Sequence, residues 1–276
     1  MSGTLLVVAT PIGNLDDLSP RAAAVLRDAD LVLAEDTRRT GRLLAHVGST
    51  VSQWSLHEHN ERAQLDAVLA RLRNGARIAL VSDAGTPAVS DPGARLLAAC
   101  AASGIRIEPI PGPSAALAAL VASGFATDRV AFDGFLPRKG RARREQLDVL
   151  AAERRTVVLF VAPHRAATDL RDLAVACGEH RPAVVCRELT KLHEEVLRGT
   201  LGELAERAED GLRGELTVVV AGVVTTVEEL DDETLVARVA AEVADGASRR
   251  DAIQRIAQAT GTPKRRVYQA VVDAGI

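Results

Sequence analysis

Residues 81–93, Val81-Ser82-Asp83-Ala84-Gly85-Thr86-Pro87-Ala88-Val89-Ser90-Asp91-Pro92-Gly93, set two Asp, two Ser, two Gly and two Pro directly behind an apolar run. Such a stretch makes a stiff loop with bare backbone amides and two carboxylates, suited to holding a small ligand and managing its charge. Within it, Asp91 followed by Pro92 reads as a capped helix start. Three other loops carry comparable chemistry. Thr10-Pro11-Ile12-Gly13-Asn14 leaves an apolar run without the GxGxxG spacing of a dinucleotide site. Glu35-Asp36-Thr37-Arg38 puts two carboxylates beside a guanidinium. It reads either as an exposed Asp36–Arg38 pair with Thr37 capping a helix, or as a phosphate grip by Arg38 with Glu35 or Asp36 orienting its neighbours. Pro111-Gly112-Pro113-Ser114-Ala115 opens a helix of small residues, whose end lets a ligand approach closely.

Two polar stretches lie outside these loops. His57-Glu58-His59-Asn60-Glu61 contains HxH, but no cysteine or second histidine pair stands at zinc spacing, so no metal site is expected. Arg138-Lys139-Gly140-Arg141-Ala142-Arg143-Arg144 is the densest basic run, either a solvated linker or a clamp on a phosphate backbone. The aromatics are Phe125, Phe132, Phe135, Phe160, Trp54 and Tyr268. The strand phenylalanines are expected in the core, which leaves Trp54 as the ring close to a polar loop.

The elements that must position these loops follow from periodicity. Residues 4–9, 31–35, 77–83 and 105–110 are short β-branched runs, apolar on both faces, as strands of a parallel sheet covered by helices are. Helices are expected over 20–28, behind Ser19 and Pro20, and over 60–73. Runs at 130–135, 156–162, 183–188 and 215–222 repeat the alternation more loosely, with helices near 143–153, 165–177 and 200–210. The expected organisation is an α/β lobe over 1–122, a second over 123–226, and a helical, helix-turn-helix-like extension over 227–276. In that extension Ser248 caps, Gly261 terminates and Pro263 restarts a helix; it either packs as a helical cap or contacts RNA through Lys264, Arg265 and Arg266.

Of the 276 residues 47% are apolar, which is enough for a substantial core and excludes disorder. A net charge of −3 excludes a global basic field, so any polyanion must be met locally. Cys100, Cys177 and Cys186 fit neither a disulfide scaffold nor zinc, and the opening MSGTLLVVATPIGNL breaks at Pro11 without a basic start. A cytoplasmic protein with no membrane span is expected.

Eight segments together resemble one family. VATPIGNL (8–15), AEDTRRT (34–40), HEHNE (57–61), VSDAGTPAVSDPG (81–93), PIPGPSAAL (109–117), FDGFLP (132–137), RELTKLHEE (187–195) and GELTVVV (214–220) are similar, in order and spacing, to the ribosomal RNA small subunit methyltransferase I family of the tetrapyrrole methylase superfamily. The resemblance implies a two-lobed α/β fold with a cofactor cleft between the lobes. It implies S-adenosylmethionine as cofactor, usually a homodimer, and 2′-O-ribose methylation of a cytidine near the decoding centre of small-subunit (16S) ribosomal RNA, free or in the assembled subunit. Carried onto this chain, the cofactor residues are Pro11, Gly13, Asp83, Ala84, Gly85, Thr86, Ser114, Ala115, Leu189 and Gly214. RNA-facing residues are Arg38, His59, Asn60, Arg187, Glu188 and His193, joined by Arg138, Lys139, Arg141, Arg143 and Arg144 of the basic run. Catalytic candidates are Glu58 or His57 as proton acceptor, with Lys191 and Arg38 fixing flanking phosphates. With so few aromatics, RNA is expected to be held by backbone and shape. Where relatives have Tyr-Glu ahead of Pro163-His164-Arg165, this chain has Phe160 and Val161, so any duty of that pair is open. Two other readings remain: methylation of a tetrapyrrole or a modified protein side chain, and a non-catalytic module binding S-adenosylmethionine or RNA.

Overall fold

In the computed structural model, residues 3–223 and 230–275 are described. Two compact units divide the chain, Met1–Val223 and Val224–Ile276.

The first unit opens with β1 (Thr4–Val8), α1 (Pro20–Asp28), β2 (Leu31–Ala34), α2 (Thr37–His46), β3 (Gln53–Ser55), α3 (Glu61–Arg73), β4 (Arg77–Val81), α4 (Ala94–Ala102) and β5 (Arg106–Ile110). The strands form one parallel sheet in the order β3-β2-β4-β1-β5. Alternate residues serve opposite faces, as a period of two requires. Leu5, Leu31, Leu33, Ile78 and Leu80 pack against Val68, Leu72 and Leu96, while Leu6, Val8, Val32 and Ala79 pack against Val25, Leu26 and Leu44. Both faces are covered, which explains the doubly apolar runs.

Ser19 caps α1 as expected, its Oγ accepting from Ala22 N at 3.1 Å. Two cap expectations are corrected. Asp36 rather than Thr37 caps α2, with Oδ1 accepting from Arg38 N at 2.8 Å. Asp91 caps nothing, because α4 begins at Ala94 behind Gly93, whose φ is +120°. The buried Glu61 on α3 takes up a first-turn amide of α4 that has no intrahelical partner, accepting from Leu96 N at 3.0 Å.

Next come α5 (Ala115–Ser123), β6 (Val130–Phe135), α6 (Arg141–Ala152), β7 (Thr156–Val161), α7 (Ala166–Cys177), β8 (Pro182–Arg187), β9 (Glu195–Thr200), α8 (Leu201–Glu209) and β10 (Leu216–Val220). Their sheet runs β6-β7-β10-β8-β9, and only β6 and β7 pair in parallel. Ala119 and Leu120 of α5 pack on its face with Val158, Val184, Cys186 and Val219. The expected division at 122 therefore falls inside α5, which leaves the first sheet and buries its apolar side on the second.

The second unit holds α9 (Asp232–Ala244), α10 (Arg249–Thr260) and α11 (Lys264–Asp273) around Leu235, Val239, Ile253, Ile256, Val267 and Val271. Ser248 caps α10 and Gly261, at φ +67°, ends it. The expected boundary at 226–227 lies outside the described residues.

Candidate functional site

Parallel strands release their chain at one edge of a sheet, so the loops after β1, β4 and β5 share a rim. The loops after β1 and β4 are tied to each other. Thr10 N donates to Gly85 O at 2.8 Å, Gly85 N returns the bond to Thr10 O at 3.0 Å, and Thr10 Oγ1 reaches Ser82 O at 3.2 Å. From the second sheet, β7 and β10 lie antiparallel with Thr217 opposite Phe160 and Leu216 opposite Val161, so the end of one strand meets the start of the other.

A cavity of about 320 Å³ lies where these edges meet, walled by Ile12, Ala84, Gly85, Thr86, Val89, Asp91, Ser114, Ala115, Phe135, Phe160, Val161, Ala162, Pro163, Glu215, Leu216 and Thr217. That size and its apolar wall with few polar groups suit a small cofactor. Gly85 holds φ +78°, a conformation glycine adopts freely. Ser114 caps α5, so the positive end of that helix faces the space, and Asp91 and Glu215 add acidity to the wall. A cationic sulfonium bearing a carboxylate tail fits that distribution.

Five expected cofactor residues line the cavity: Ala84, Gly85, Thr86, Ser114 and Ala115. The others stand behind it. Pro11 flanks Ile12. Gly13 is pressed on the 189–191 loop, where an added Cβ would run into Lys191 Cγ and Thr190 Oγ1, and Leu189 packs under α5. Gly214, at φ +91°, lies against the Glu188 side chain. Asp83 is a brace: its Oδ1 accepts from Asp36 N at 3.1 Å and its Oδ2 lies 3.5 Å from Arg39.

The catalytic candidates are dispersed. His57 and Glu58 follow β3, three strands away from β1 in the sheet, and neither lines the cavity. Asn60 holds that turn, accepting from His57 N at 2.8 Å and donating to Ser55 O at 3.0 Å. Lys191 Nζ bridges Glu188 at 2.9 Å and Glu215 at 3.0 Å. Burial would lower its pKa, but these two carboxylates outweigh that and raise it, while Glu188 is held below its usual range by the same ammonium.

The RNA candidates divide as well. Arg38, His59 and His193 are exposed, and Arg38 forms a 2.7 Å pair with Asp36 that depresses the Asp36 carboxyl. Arg187 is occupied by Glu195 at 3.1 Å. Arg138, Lys139, Arg141 and Arg144 are exposed, with Arg141 on Glu145 at 2.6 Å. Arg143 requires correction. Its side chain is 8% exposed, and its Nε, Nη1 and Nη2 engage Asp172, Pro137 O and Asp169, so the guanidinium is held inside the fold rather than presented to a phosphate. In the second unit, Lys264 donates to Gln254 and Arg266 to Leu230 O, while Arg265 is exposed.

Two features lay beyond the sequence reading. Phe132, Phe135 and Phe160 form one cluster, with centroids 5.1 and 5.6 Å from Phe160, and Phe135 is 53% exposed on the cavity wall. These rings were expected in the core. Trp54, by contrast, has one face covered by Arg71 at 4.4 Å. The second feature is a group of carboxylates. Burial, then Glu35, raises Asp91 to about 6 against the pull of a Ser82 hydrogen bond, and burial, then Asp83, raises Glu35. Among the described residues, no group of three or more His, Cys, Asp or Glu is arranged to hold a metal ion.

The raised Asp91 has a consequence for stability. The native state keeps that proton up to about pH 6, whereas the unfolded chain releases it near 3.8. Between those values the native state binds more protons, so stability falls as pH rises through the window and is level above it. Asp91→Asn is expected to exceed the wild type by about 1–2 kcal/mol above pH 7, the part-exposure of the site discounting the full shift. Below pH 4 the two should coincide, as thermal unfolding across pH will show.

Residues 4–205 match the family model described as Tetrapyrrole (Corrin/Porphyrin) Methylases. Proteins named Ribosomal RNA small subunit methyltransferase I are similar over nearly the whole chain. The one from Synechocystis is 46% identical across 97% of this chain and 96% of its own. That from Mycobacterium tuberculosis is 48% identical across 99% and 96%. Among solved structures, a cobalt precorrin-4 methyltransferase superposes with a TM-score of 0.59 at 22% identity, covering 79% of this chain and 94% of its own. A diphthine synthase gives 0.61 at 16%, covering 79% and 90%. Those two share the fold.

Proposed function

The chain belongs to the ribosomal RNA small subunit methyltransferase I family, S-adenosylmethionine-dependent enzymes with the tetrapyrrole methylase fold, and on that premise we propose that it methylates the ribose 2′-oxygen of a cytidine near the decoding centre of small-subunit ribosomal RNA. The observation that carries this reading is the mixed cavity wall, to which the loop after β4 contributes a carboxylate, Asp91, suited to a cationic cofactor, and the end of β6 a half-exposed ring, Phe135. A nucleotide brought to that wall needs a flat apolar face for its base, which Phe135 offers.

The loops after β4 and β5 hold the cofactor through Gly85, Thr86, Ser114 and Ala115, with Leu216 and Thr217 closing the opposite side. When bound, S-adenosylmethionine supplies an activated methyl group on a sulfonium. The chain's task is then alignment, which can contribute about 7–11 kcal/mol. Acidity at Asp91 and Glu215 favours the cationic cofactor over its neutral product.

RNA is gripped at exposed cations. Arg138, Lys139 and Arg144 border a groove of about 620 Å³ between α6 and α7, and Arg38 and His193 offer further contacts. Replacing Arg138, Lys139 and Arg144 together by Ala is expected to flatten the salt dependence of RNA binding by about 2–3 in log–log slope, at about 0.7–0.9 for each lost phosphate contact. Cofactor affinity, measured by calorimetry, should be unchanged.

The enzyme is proposed to act in the cytoplasm as a homodimer. Leu117 and Val121 expose an apolar face on α5 of the kind a partner buries, and sedimentation will give the assembly state. Among the described residues, no helix is long and apolar enough to cross a membrane. The decisive experiment maps 2′-O-methyl marks on ribosomal RNA from cells with and without this gene product. Loss of one ribose mark on its removal supports the reading. Labelled cofactor bound by the protein with no label passed to small subunits would instead make it a sensor.

A further inference from the structure

We propose that the groove between α10 and α11 holds a single-stranded stretch of the RNA substrate, with one base stacked on Tyr268 and its phosphates on Arg249, Arg250 and Lys264. The inference rests on ribosomal RNA being the substrate and not on which of its atoms receives the methyl group. The groove measures about 560 Å³ and is lined by Arg249, Arg250 and Ile253 from α10 and by Lys264, Tyr268 and Val272 from α11. Of the three cations that the sequence singles out in this unit, Lys264 alone lines it.

Charge in this unit is sorted by side. Residues 248–275 carry six cations, Arg249, Arg250, Arg255, Lys264, Arg265 and Arg266, against two carboxylates, Asp251 and Asp273. The cations that meet α9 and its approach are matched. Arg255 pairs with Glu242 at 2.9 Å, and Arg266 lies 3.6 Å from Asp232 and donates to Leu230 O at 3.0 Å. Those at the groove are not. Among the described residues nothing pairs with Arg249 or Arg250, and Lys264 Nζ meets a neutral amide, Gln254 Oε1 at 3.1 Å. The two carboxylates hold Ser248 Oγ at 2.7 Å and Gln269 Nε2 at 2.8 Å rather than a cation. Arg249 and Arg250 in the first turn of α10, and Lys264 in that of α11, add to the positive helix ends instead of offsetting them. Positive charge concentrated in this way costs the fold stability and is relieved by a polyanion.

The ring decides which polyanion. Lys264, Tyr268 and Val272 stand four residues apart and form one stripe of α11. The neighbouring stripe, Val267 and Val271, is buried, whereas Tyr268 is 54% and Val272 41% exposed. Single-stranded RNA uses both features, the ring for an unstacked base and the cations for its backbone. A duplex keeps its base faces within the stack, and an acidic peptide has no base to place, so either would engage the cations and leave the ring uncovered.

Tyr268 is the chain's single tyrosine, so a fluorine on that ring gives one NMR resonance. In the full-length protein that resonance is expected to shift when a short single-stranded oligoribonucleotide is added to saturation, and to move far less with its duplex or with polyglutamate. Affinities are then read by fluorescence anisotropy with Arg138, Lys139 and Arg144 already replaced by Ala, which removes the groove between α6 and α7. Against that background Tyr268→Ala should bind the single strand about 5- to 150-fold more weakly, the worth of one stacked base, at an unchanged salt slope. Tyr268→Phe should recover most of the loss. Arg249→Ala together with Arg250→Ala should flatten the slope by about 1.4, at about 0.7 for each phosphate contact on a single strand. Cofactor affinity by calorimetry should match the wild type throughout. A resonance that does not move, or a Tyr268→Ala loss below about fivefold, overturns the proposal. An equal shift with the duplex overturns the stacked base, and an equal shift with polyglutamate makes the groove a protein-docking site. If Tyr268→Ala does not fold, the wild-type resonance decides. A ribose mark lost with the gene product while the resonance stays still would overturn the groove and leave the function proposed above standing.

Discussion

Arg143→Ala is expected to cost about 3–5 kcal/mol of folding stability and to weaken RNA binding only as far as it unfolds the protein. The guanidinium is buried at the start of α6 and satisfies three partners: Asp169 Oδ1 at 2.8 Å, Asp172 Oδ2 at 2.8 Å and Pro137 O at 2.9 Å. Burial by itself would lower its pKa, but the two aspartates outweigh it and raise it. Truncation strands Asp169, whose side chain is 4% exposed, with Arg165 at 3.0 Å as its remaining cation. An uncompensated buried charge makes breaking such a pair far costlier than the pair was stabilising. Arg143→Lys should recover only part of the loss, since one ammonium cannot reproduce a fork reaching three acceptors. Urea unfolding gives these values. The alanine variants of exposed Arg138 and Arg144 should unfold with the wild type, within about 0.5 kcal/mol. If Arg143→Ala folds normally and loses RNA binding, the residue belongs to the clamp after all.

Arg143 also shows what the sequence hides. As part of RKGRARR it looks like any member of a basic run. Its helical neighbours at i+4 and i+7 are Leu147 and Leu150, both packed into the core, so the position lies on the buried side of α6. That spacing was the available signal, and charge composition overrode it.

Strands of the first sheet were legible because burial on both faces forces continuous apolar runs, and such runs survive in Leu5–Val8 and Ile78–Val81. Two of the four edge strands, β3 and β9, were not, although β5 and β6 were. Gln53–Ser55 is three residues long, and Glu195–Thr200 reads EVLRGT, with only Val196 and Leu197 apolar side by side and no period of two. Strand direction in the second sheet depends on which neighbour each strand meets, which no local pattern records. The loops of the site stood out through their Gly, Pro and Asp content, whereas the aromatic cluster did not. In a regular strand Phe132 and Phe135, three apart, point to opposite faces. A register shift between Phe132 and Gly134, with Gly134 at φ +60°, cancels that alternation and lets both meet Phe160.

Gly85→Val should raise the dissociation constant for S-adenosylmethionine by at least about a hundredfold, the loss expected when a ligand's close approach to the backbone is blocked. Two effects act together at this residue. Its φ of +78° is strained for any side chain, and most for a β-branched one, costing about 1–3 kcal/mol. Its amide and carbonyl both bond Thr10, so relief of that strain would part the loops after β1 and β4 and deform the cavity wall they share. Gly48→Val separates these contributions. Gly48 has nearly the same φ, +71°, and nothing within 4 Å of an added Cβ, and it lies at the end of α2, off the cavity. The Gly48 variant should lose comparable stability in thermal unfolding while keeping cofactor affinity within about threefold, because strain alone does not touch the binding wall. Calorimetric titration of both variants then distinguishes a blocked cavity from a weakened fold. Wild-type affinity in Gly85→Val would mean that the cofactor is held elsewhere, and the proposed roles of Thr86, Ser114 and Asp91 would go with it.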